Sequence, residues 1–239
     1  MNDLNVDRKL KNLYDNSYGN QSIPEWRELC AIDKAQNIMD LCKNIPHSKV
    51  LDIGSGEGSV IKRLSSLSFA DEFYSLEISE SAVNVIQEKK IPALIECRLY
   101  DGYHIPYDDM SFDLAIISHV IEHTEYPRMI IKDAARVASH IFIEVPLEMT
   151  ARLSDNYVWD GVGHINWYSM KSIRRFLQSM DFQIIHQRVS DLSYDTYKYR
   201  LHNKAFLRYI PRRMLLKISP KLATKIFTYH CAILCKKHI

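Results

Sequence analysis

Lys49-Val50-Leu51-Asp52-Ile53-Gly54-Ser55-Gly56-Glu57-Gly58-Ser59-Val60 is the stretch that decides the fold. A short apolar, β-branched run stops at an acid and gives way to glycines at alternate positions. Val60, Ile61, Leu64 and Leu67 then keep helical spacing. Strand, glycine turn and helix form the opening unit of a nucleotide-binding α/β domain. The glycines let the chain turn sharply while its backbone comes close to a ligand. The third glycine comes too early for the dinucleotide fingerprint, and the Lys-Ser/Thr of a P-loop is absent.

Outward from this unit, strand and helix patterns alternate. Glu72–Ile78 reads as a second strand ending in an acid, Glu77, followed by a helix from Glu80 to Lys89 capped by Ser79. Ala93–Leu99 reads as a third strand. Ser111–Ser118 is a fourth, nearly all apolar as a central parallel strand should be. Pro127–Ala138 is helical in pattern and His140–Val145 a fifth strand. A long aromatic loop, 146–166, leads to a helix from Met170 to Met180. Phe182–Val189 and Thr228–Lys236 read as the sixth and seventh strands. The expected fold is α/β: a doubly wound, Rossmann-like, seven-stranded sheet with an antiparallel last strand.

One domain accounts for the 239 residues, divided as an N-terminal arm and helix (1–45), a core (46–190), a basic helical insertion (191–226) and the last strand (227–239). In the arm, residues 1–24 have little periodicity, so that it either is disordered or folds over a site as a lid. From Glu25 to Cys42 the apolar positions Trp26, Leu29, Ile32, Ala35, Ile38, Met39 and Cys42 keep helical spacing. The apolar fraction of 46% suffices for a full core, and no run of about 18 apolar residues marks a membrane span. The polar, acidic start is unlike a signal peptide, which points to the cytoplasm. Five scattered cysteines without a CxxC read as reduced, and Cys231 and Cys235 as buried on one strand face. The net charge of +2 hides a polarity: after Asp195 there are 11 Lys and Arg and no Asp or Glu.

The run Asp52-x-Gly54-x-Gly56-x-Gly58 resembles motif I of class I S-adenosylmethionine-dependent methyltransferases. Tyr74–Ser79, Ile105–Asp113, His119-Val120-Ile121-Glu122-His123 and Gly163-His164-Ile165-Asn166-x-Tyr168-Ser169 follow in the order of the small-molecule, ubiquinone-biosynthesis-like group. The resemblance implies S-adenosylmethionine as cofactor. It places the methionine half on Asp52, Gly54, Ser55, Gly56 and Gly58, and the ribose hydroxyls on Glu77. Adenine falls to Ile78, with Asp101 and Gly102 beside its amino group. Ser118 and His119 line the methyl-transfer face.

Direct displacement at a sulfonium carbon depends mainly on alignment, and a hydroxyl acceptor gains from a base of near-neutral pKa, which histidine supplies. His119, Glu122 and His123 share one face if their segment is helical. His123 or His164 then serves as the base, with His119 alongside. Alternatively His119, Glu122, His123 and His164 gather a divalent metal, or they only orient the loop. The His-x-x-Glu-His run resembles the Glu-x-x-Glu-His of metal-assisted ubiquinone-pathway and small-RNA 2′-O-methyltransferases. Histidine at the first position removes a carboxylate and disfavours Mg²⁺, so no metal ligand is assigned. Trp159, Trp167 and Tyr168 either wall an acceptor pocket or pack the following helix.

Between Leu201 and Phe227, amphipathic helices broken at Pro211 and Pro220 place Arg213, Lys217, Lys221 and Lys225 opposite Leu215, Leu216, Leu222 and Ile226. This basic face either is simply solvated or attracts an anionic partner: a lipid surface contacted through 200–226, or a nucleotide-sugar or carrier-linked acceptor. Nucleic acid is disfavoured because the overall charge is near neutral and no RNA-reading module appears. The expected activity is O-methylation of a small-molecule, sugar or lipid-like acceptor. The alternatives are N-methylation, metal-assisted RNA 2′-O-methylation, and a cofactor-binding partner protein without turnover.

Overall fold

A computed structural model describes residues 8–19, 24–157 and 162–238. Seven strands form one sheet in the order β3-β2-β1-β4-β5-β7-β6. They are β1 (Lys49–Ile53), β2 (Glu72–Glu77), β3 (Leu94–Leu99), β4 (Phe112–Ser118), β5 (Ala138–Pro146), β6 (Phe182–Ser190) and β7 (His230–Lys237). β7 runs antiparallel to both neighbours, β5 and β6, and β1 to β5 are parallel, as the sequence pattern predicts. The strand order reverses between β1 and β4. In open α/β sheets the crevice at the carboxyl ends of such a pair is where ligands bind.

The helices are α1 (Arg8–Gly19), α2 (Pro24–Cys42), α3 (Ser59–Ser66), α4 (Glu80–Glu88), α5 (Pro127–Val137), α6 (Met170–Gln178), α7 (Tyr194–Leu201), α8 (Ala205–Ile218) and α9 (Pro220–Ile226). Alternation along the central strands divides the core between the two faces of the sheet. Leu51, Ile53, Ala115, Ile117, Ile143 and Val145 pack with α5 and α6, whereas Val50, Leu114, Ile116 and Phe142 pack with α2, α3 and α4. Cys231 and Cys235 lie in the first of these layers, and burial pushes their thiols up to about 11 and about 12. No described helix is long and apolar enough to cross a membrane.

The arm, left open between disorder and a lid, contains a helix, α1, which packs on α4. Two local expectations, the buried face of α2 and the break at Pro211, are corrected. In α2 the buried face is Ala31, Ala35, Ile38, Leu41 and Cys42, while Ile32 is exposed: the helix rotates to bring small alanines against the sheet. Pro211 does not break the insertion. α8 runs through it, and only Pro220 starts a new helix. A mid-helix proline usually costs about 3 kcal/mol. Here Pro211 is exposed, so water can reach the carbonyl that loses its donor, and Arg212 ties the helix to Asp191 at 3.0 Å. Of the apolar positions opposite the basic row, Leu215, Leu216 and Ile226 are half-buried and Leu222 is exposed, while other apolar side chains of the insertion face solvent. Leu207 and Ile218 are 73% and 76% exposed, with Phe206, Met214 and Leu222 also facing solvent.

The glycine loop is fixed by sterics as well as hydrogen bonds. Gly54 has φ +73° and donates its N–H to Leu76 O at 2.8 Å, and a Cβ on it would stand 2.6 Å from Val120 Cγ2. Gly54→Ala therefore combines a left-handed alanine, about 1–2 kcal/mol, with overpacking of about 1–3 kcal/mol. We expect a clear loss of stability in denaturant melts. Adding Val120→Ala should recover the packing part and leave the backbone part; full recovery would show that φ carries no cost.

Candidate active site

At the carboxyl ends of β1 and β4 a cavity of about 450 Å³ opens. The glycine loop contributes Asp52, Gly54, Ser55 and Gly56 to its lining, and the end of β4 contributes Ser118 and His119. α2 supplies Trp26, Arg27 and Lys34. The segments beyond β5 and before β7 supply Glu148, His164 and Thr228, and β7 begins with His230, also on the wall. Its size is that of ordinary cofactor and small-molecule sites.

Glu57 anchors the loop. Arg27 at 3.1 Å, Lys89 at 3.4 Å and Ser59 at 2.8 Å surround its carboxylate. Burial opposes ionisation, but Ser59, Lys89 and Arg27 outweigh it and hold the carboxyl below the usual range. Glu77 ties the loop to β2. Its Oε2 accepts the N–H of Gly56 at 2.7 Å, and its Oε1 accepts those of Ile78 at 2.8 Å and Ser79 at 3.1 Å. Desolvation prevails over these bonds and pushes Glu77 up to about 7. α1 lies against this corner: Ser79 Oγ donates to Asp15 Oδ1 at 2.7 Å, and Ser81 Oγ donates to the Asp15 carbonyl at 3.1 Å.

The segment holding His119, Glu122 and His123 is a turn, not a helix, so the three residues do not share a helical face. His119 itself adopts φ +58°, a left-handed conformation uncommon outside glycine and associated with functional sites. The turn divides the histidines into two groups. His119 packs edge-on against His230 at 4.7 Å, beside Glu144, while His123 packs against His164 at 4.6 Å, beside Glu122. Burial lowers His119 and His230 well below the ordinary histidine value and lowers His123, so these rings are neutral near pH 7.

His123 Nδ1 lies 3.1 Å from Gly163 O, so its proton sits on Nδ1, because a carbonyl only accepts. Tyr14 of α1 stands edge-on to the same ring at 5.7 Å. His164 Nδ1 lies 2.7 Å from Glu148 Oε2. A carboxylate at this place accepts the Nδ1 proton and orients the ring. Glu122 is fully buried, and both its oxygens lack hydrogen-bond partners among the described residues, as does His119 Nε2. His119 Nδ1 is 3.2 Å from Glu122 Oε1 but outside hydrogen-bond geometry. Desolvation raises Glu122, which favours its neutral form. Two sets, His119–Glu144–His230 and Glu122–His123–His164, bring their ligand atoms within 4.8 Å of one another.

Of the residues expected from sequence, Asp52, Gly54, Ser55, Gly56, Ser118, His119 and His164 meet around this cavity. Gly58, Glu77, Ile78, Asp101, Gly102 and His123 are not part of its wall. Asp101 turns its Oδ1 back to the N–H groups of Tyr103 and His104, both at 2.7 Å, and so shapes its own loop. Gly58 caps α3 at φ +75°, where a Cβ would meet Ile86 at 2.9 Å, so backbone conformation and packing both require glycine there. Tyr168 is buried in the core, and Trp159 lies outside the described residues. The sequence reading missed Glu144, Glu148, His230, Lys34 and Arg200. One signal existed: Glu144 interrupts the apolar run Ile141-Phe142-Ile143-Glu144-Val145, and it is held by Asn37 Nδ2 at 2.9 Å.

A family model described as a methyltransferase domain matches residues 25–187. The chain belongs to this family. The methyltransferase domain matches an uncharacterized protein, MJ1123, of Methanocaldococcus jannaschii, at 26% identity over 113 residues, 47% of this chain. It spans 50% of that relative's length. In fold it is similar to a Haemonchus contortus phosphoethanolamine N-methyltransferase 2 bound to phosphomonomethylethanolamine and S-adenosylhomocysteine. That match has a TM-score of 0.64 and 13% identity, covering 96% of this chain and 60% of the other. It is also similar to the [4+2]-cyclase SpnF, with a TM-score of 0.62 and 16% identity over 87% of this chain and 81% of that one. Family and fold together make this a class I S-adenosylmethionine-dependent methyltransferase domain. A methyltransferase and a cyclase on one scaffold show why the acceptor must be argued from the site.

Asp52 gives a titration test. Burial, opposed by Lys34 and reinforced by Glu77, raises it from 3.8 to about 7. A raised acid stabilises the fold while protonated. That contribution is complete below about 4 and is lost as pH rises through about 7. Thermal melts should therefore show the Asp52→Asn variant gaining on the wild type from pH 5 to pH 8. A gap independent of pH would mean that Asp52 ionises normally.

Proposed function

We propose that this protein methylates a hydroxyl group of a small-molecule, sugar or lipid-like acceptor. The observation that carries this reading is the Glu148–His164 pair, joined at 2.7 Å, on the wall of the cavity that also holds Asp52 and the glycine loop. When bound, S-adenosylmethionine supplies an electrophilic methyl group on a cationic sulfur.

The chain's own residues fit such a ligand. Backbone groups of 54–58 and the carboxylate of Asp52 receive the methionine end, and an ionised Asp52 balances positive charge. Glu77 Oε2 has one backbone donor and keeps a lone pair for a ribose hydroxyl. Ile78, Asp101 and Gly102 are assigned to the adenine side, and Ser118 and His119 flank the reacting face. His164 takes the proton of the acceptor hydroxyl at Nε2, while Glu148 holds the ring's tautomer and balances the imidazolium that forms. His123, neutral and fixed through Nδ1, backs the His164 ring.

N-methylation is the nearest alternative, but an amine acceptor would leave the Glu148–His164 pair with little to do. Metal-assisted transfer to a 2′-hydroxyl is favoured by one observation: the unpartnered Glu122 carboxylate beside His123 and His164. In the absence of turnover the domain would act as a cofactor-binding partner. We place the protein in the cytoplasm, in passing contact with anionic membranes through the exposed Phe206, Leu207, Met214 and Ile218 among the basic residues of α8.

Calorimetry with S-adenosylhomocysteine should give binding that weakens on Glu77→Ala; absence of wild-type binding overturns the cofactor assignment. With an acceptor in hand, His164→Ala should lower kcat about 10²–10⁴-fold, with S-adenosylhomocysteine affinity kept and turnover insensitive to chelator. Glu148→Gln should shift the pH–rate profile as well as lower kcat. Turnover equal in His164→Ala removes the base, and loss of turnover with chelator selects the metal reading.

A further inference from the structure

A second cavity, also of about 450 Å³, adjoins the first and shares Leu192, Arg200, Thr228 and His230 with it. Four guanidinium groups from separate places in the chain line it: Arg152 from the loop after β5, Arg200 from α7, and Arg208 and Arg212 from α8. Its carboxylate, Asp191, is already engaged. Arg212 donates to it at 3.0 and 3.2 Å, and the Tyr197 hydroxyl at 2.9 Å. Arg152, Arg200 and Arg208 form no ion pair with any described carboxylate. Elsewhere Arg27 pairs with Glu57, Arg98 with Glu96, Arg136 with Asp133 and Asp109, and Arg188 with Asp40, whereas the scattered Arg63, Arg128, Arg174, Arg175 and Arg213 form no ion pair among the described residues; what sets the cavity apart is the gathering of its arginines around one concavity.

Like charges gathered around one concavity repel, and they raise the local concentration of anions. Two of the guanidinium groups also lie over aromatic rings. Arg152 lies over the Phe227 ring at 5.2 Å, and Arg200 over the Trp26 ring at 5.2 Å. A guanidinium attracted to a ring still has N–H donors for an oxyanion, and phosphate suits their fork.

Resting on the methyltransferase reading above, we propose that the arginine-lined cavity binds a phosphate group of the acceptor, whose hydroxyl then reaches His164 through the shared wall at Arg200 and Thr228. The substrate class is thus a phosphorylated hydroxy compound, either soluble or carried on a lipid headgroup. Thr228 lines both cavities, so an acceptor extending from one to the other passes it. No covalent step occurs at the phosphate, which serves only to hold the acceptor.

The test uses the full chain with inorganic pyrophosphate as probe, titrated by calorimetry with and without S-adenosylhomocysteine. We expect saturable binding that weakens as salt is raised and falls at least about 10-fold in Arg152→Ala/Arg208→Ala, the loss of one or two charge-assisted hydrogen bonds. S-adenosylhomocysteine affinity should stay within about 2-fold. Should the double variant melt below the assay temperature, Arg208→Gln alone takes its place. A chain that binds S-adenosylhomocysteine but not pyrophosphate, or whose variants bind pyrophosphate unchanged, overturns the phosphate site. A chain that fails to bind S-adenosylhomocysteine overturns the methyltransferase reading instead. Once pyrophosphate binding is established, sedimentation with phosphatidylglycerol but not phosphatidylcholine vesicles, lost in the same variant, identifies a lipid-borne phosphate. Binding of pyrophosphate without sedimentation identifies a soluble one.

Discussion

The site depends on one buried carboxylate. Glu77 ends β2 and spends itself on the N–H groups of Gly56, Ile78 and Ser79, so one side chain joins the glycine loop to the start of α4. Those donors belong to a sharp turn and a helix entry, where backbone groups have no partners within their own elements. An acid there is electrostatically favoured, yet burial brings its pKa up to about 7. That contact fixes the glycine loop and the entry of α4, where Ser79 in turn meets Asp15 of α1.

Around this corner the protein keeps an unusual number of ionisable groups in a dry environment. Asp52 and Glu144 are both pushed up to about 7 by burial, while His119 and His230 are held neutral by the same effect. Burial thus weakens the charged form of each of these groups before a ligand arrives. Glu148 and His164 stand apart as a short, oriented pair, and the arginines beyond them supply positive charge at the far end. The cavity system is therefore graded, from carboxylates beside the glycine loop, through histidines, to guanidinium groups. That gradient suits a cationic methyl donor at one end and an anionic acceptor at the other.

Most of the fold is readable in the sequence because period and punctuation are local. Val50–Gly58 declares strand and turn, the apolar run at 112–118 declares a central strand, and Ser79 and Ser169 cap their helices through bonds to Ala82 and Ser172. The errors fell where local rules compete with packing. The spacing of His119, Glu122 and His123 suits a helix equally well, but the chain leaves β4 through a left-handed His119 and turns. Pro211 is a helix breaker by propensity and is tolerated because its side of α8 faces water.

By itself, the sequence determined the sheet, its antiparallel last strand and the glycine loop, since alternation, helical spacing and turn residues act over a few neighbours. It also located His164 as a residue of interest. Only the tertiary structure decided that His164 meets Glu148, that His119 meets His230 instead of His123, and that Arg152, Arg200 and Arg208 surround one cavity. These groups come from loops and helices far apart in the chain. What brings them together is the crossing of β5, β7 and the insertion at one end of the sheet, a long-range packing that no local pattern encodes.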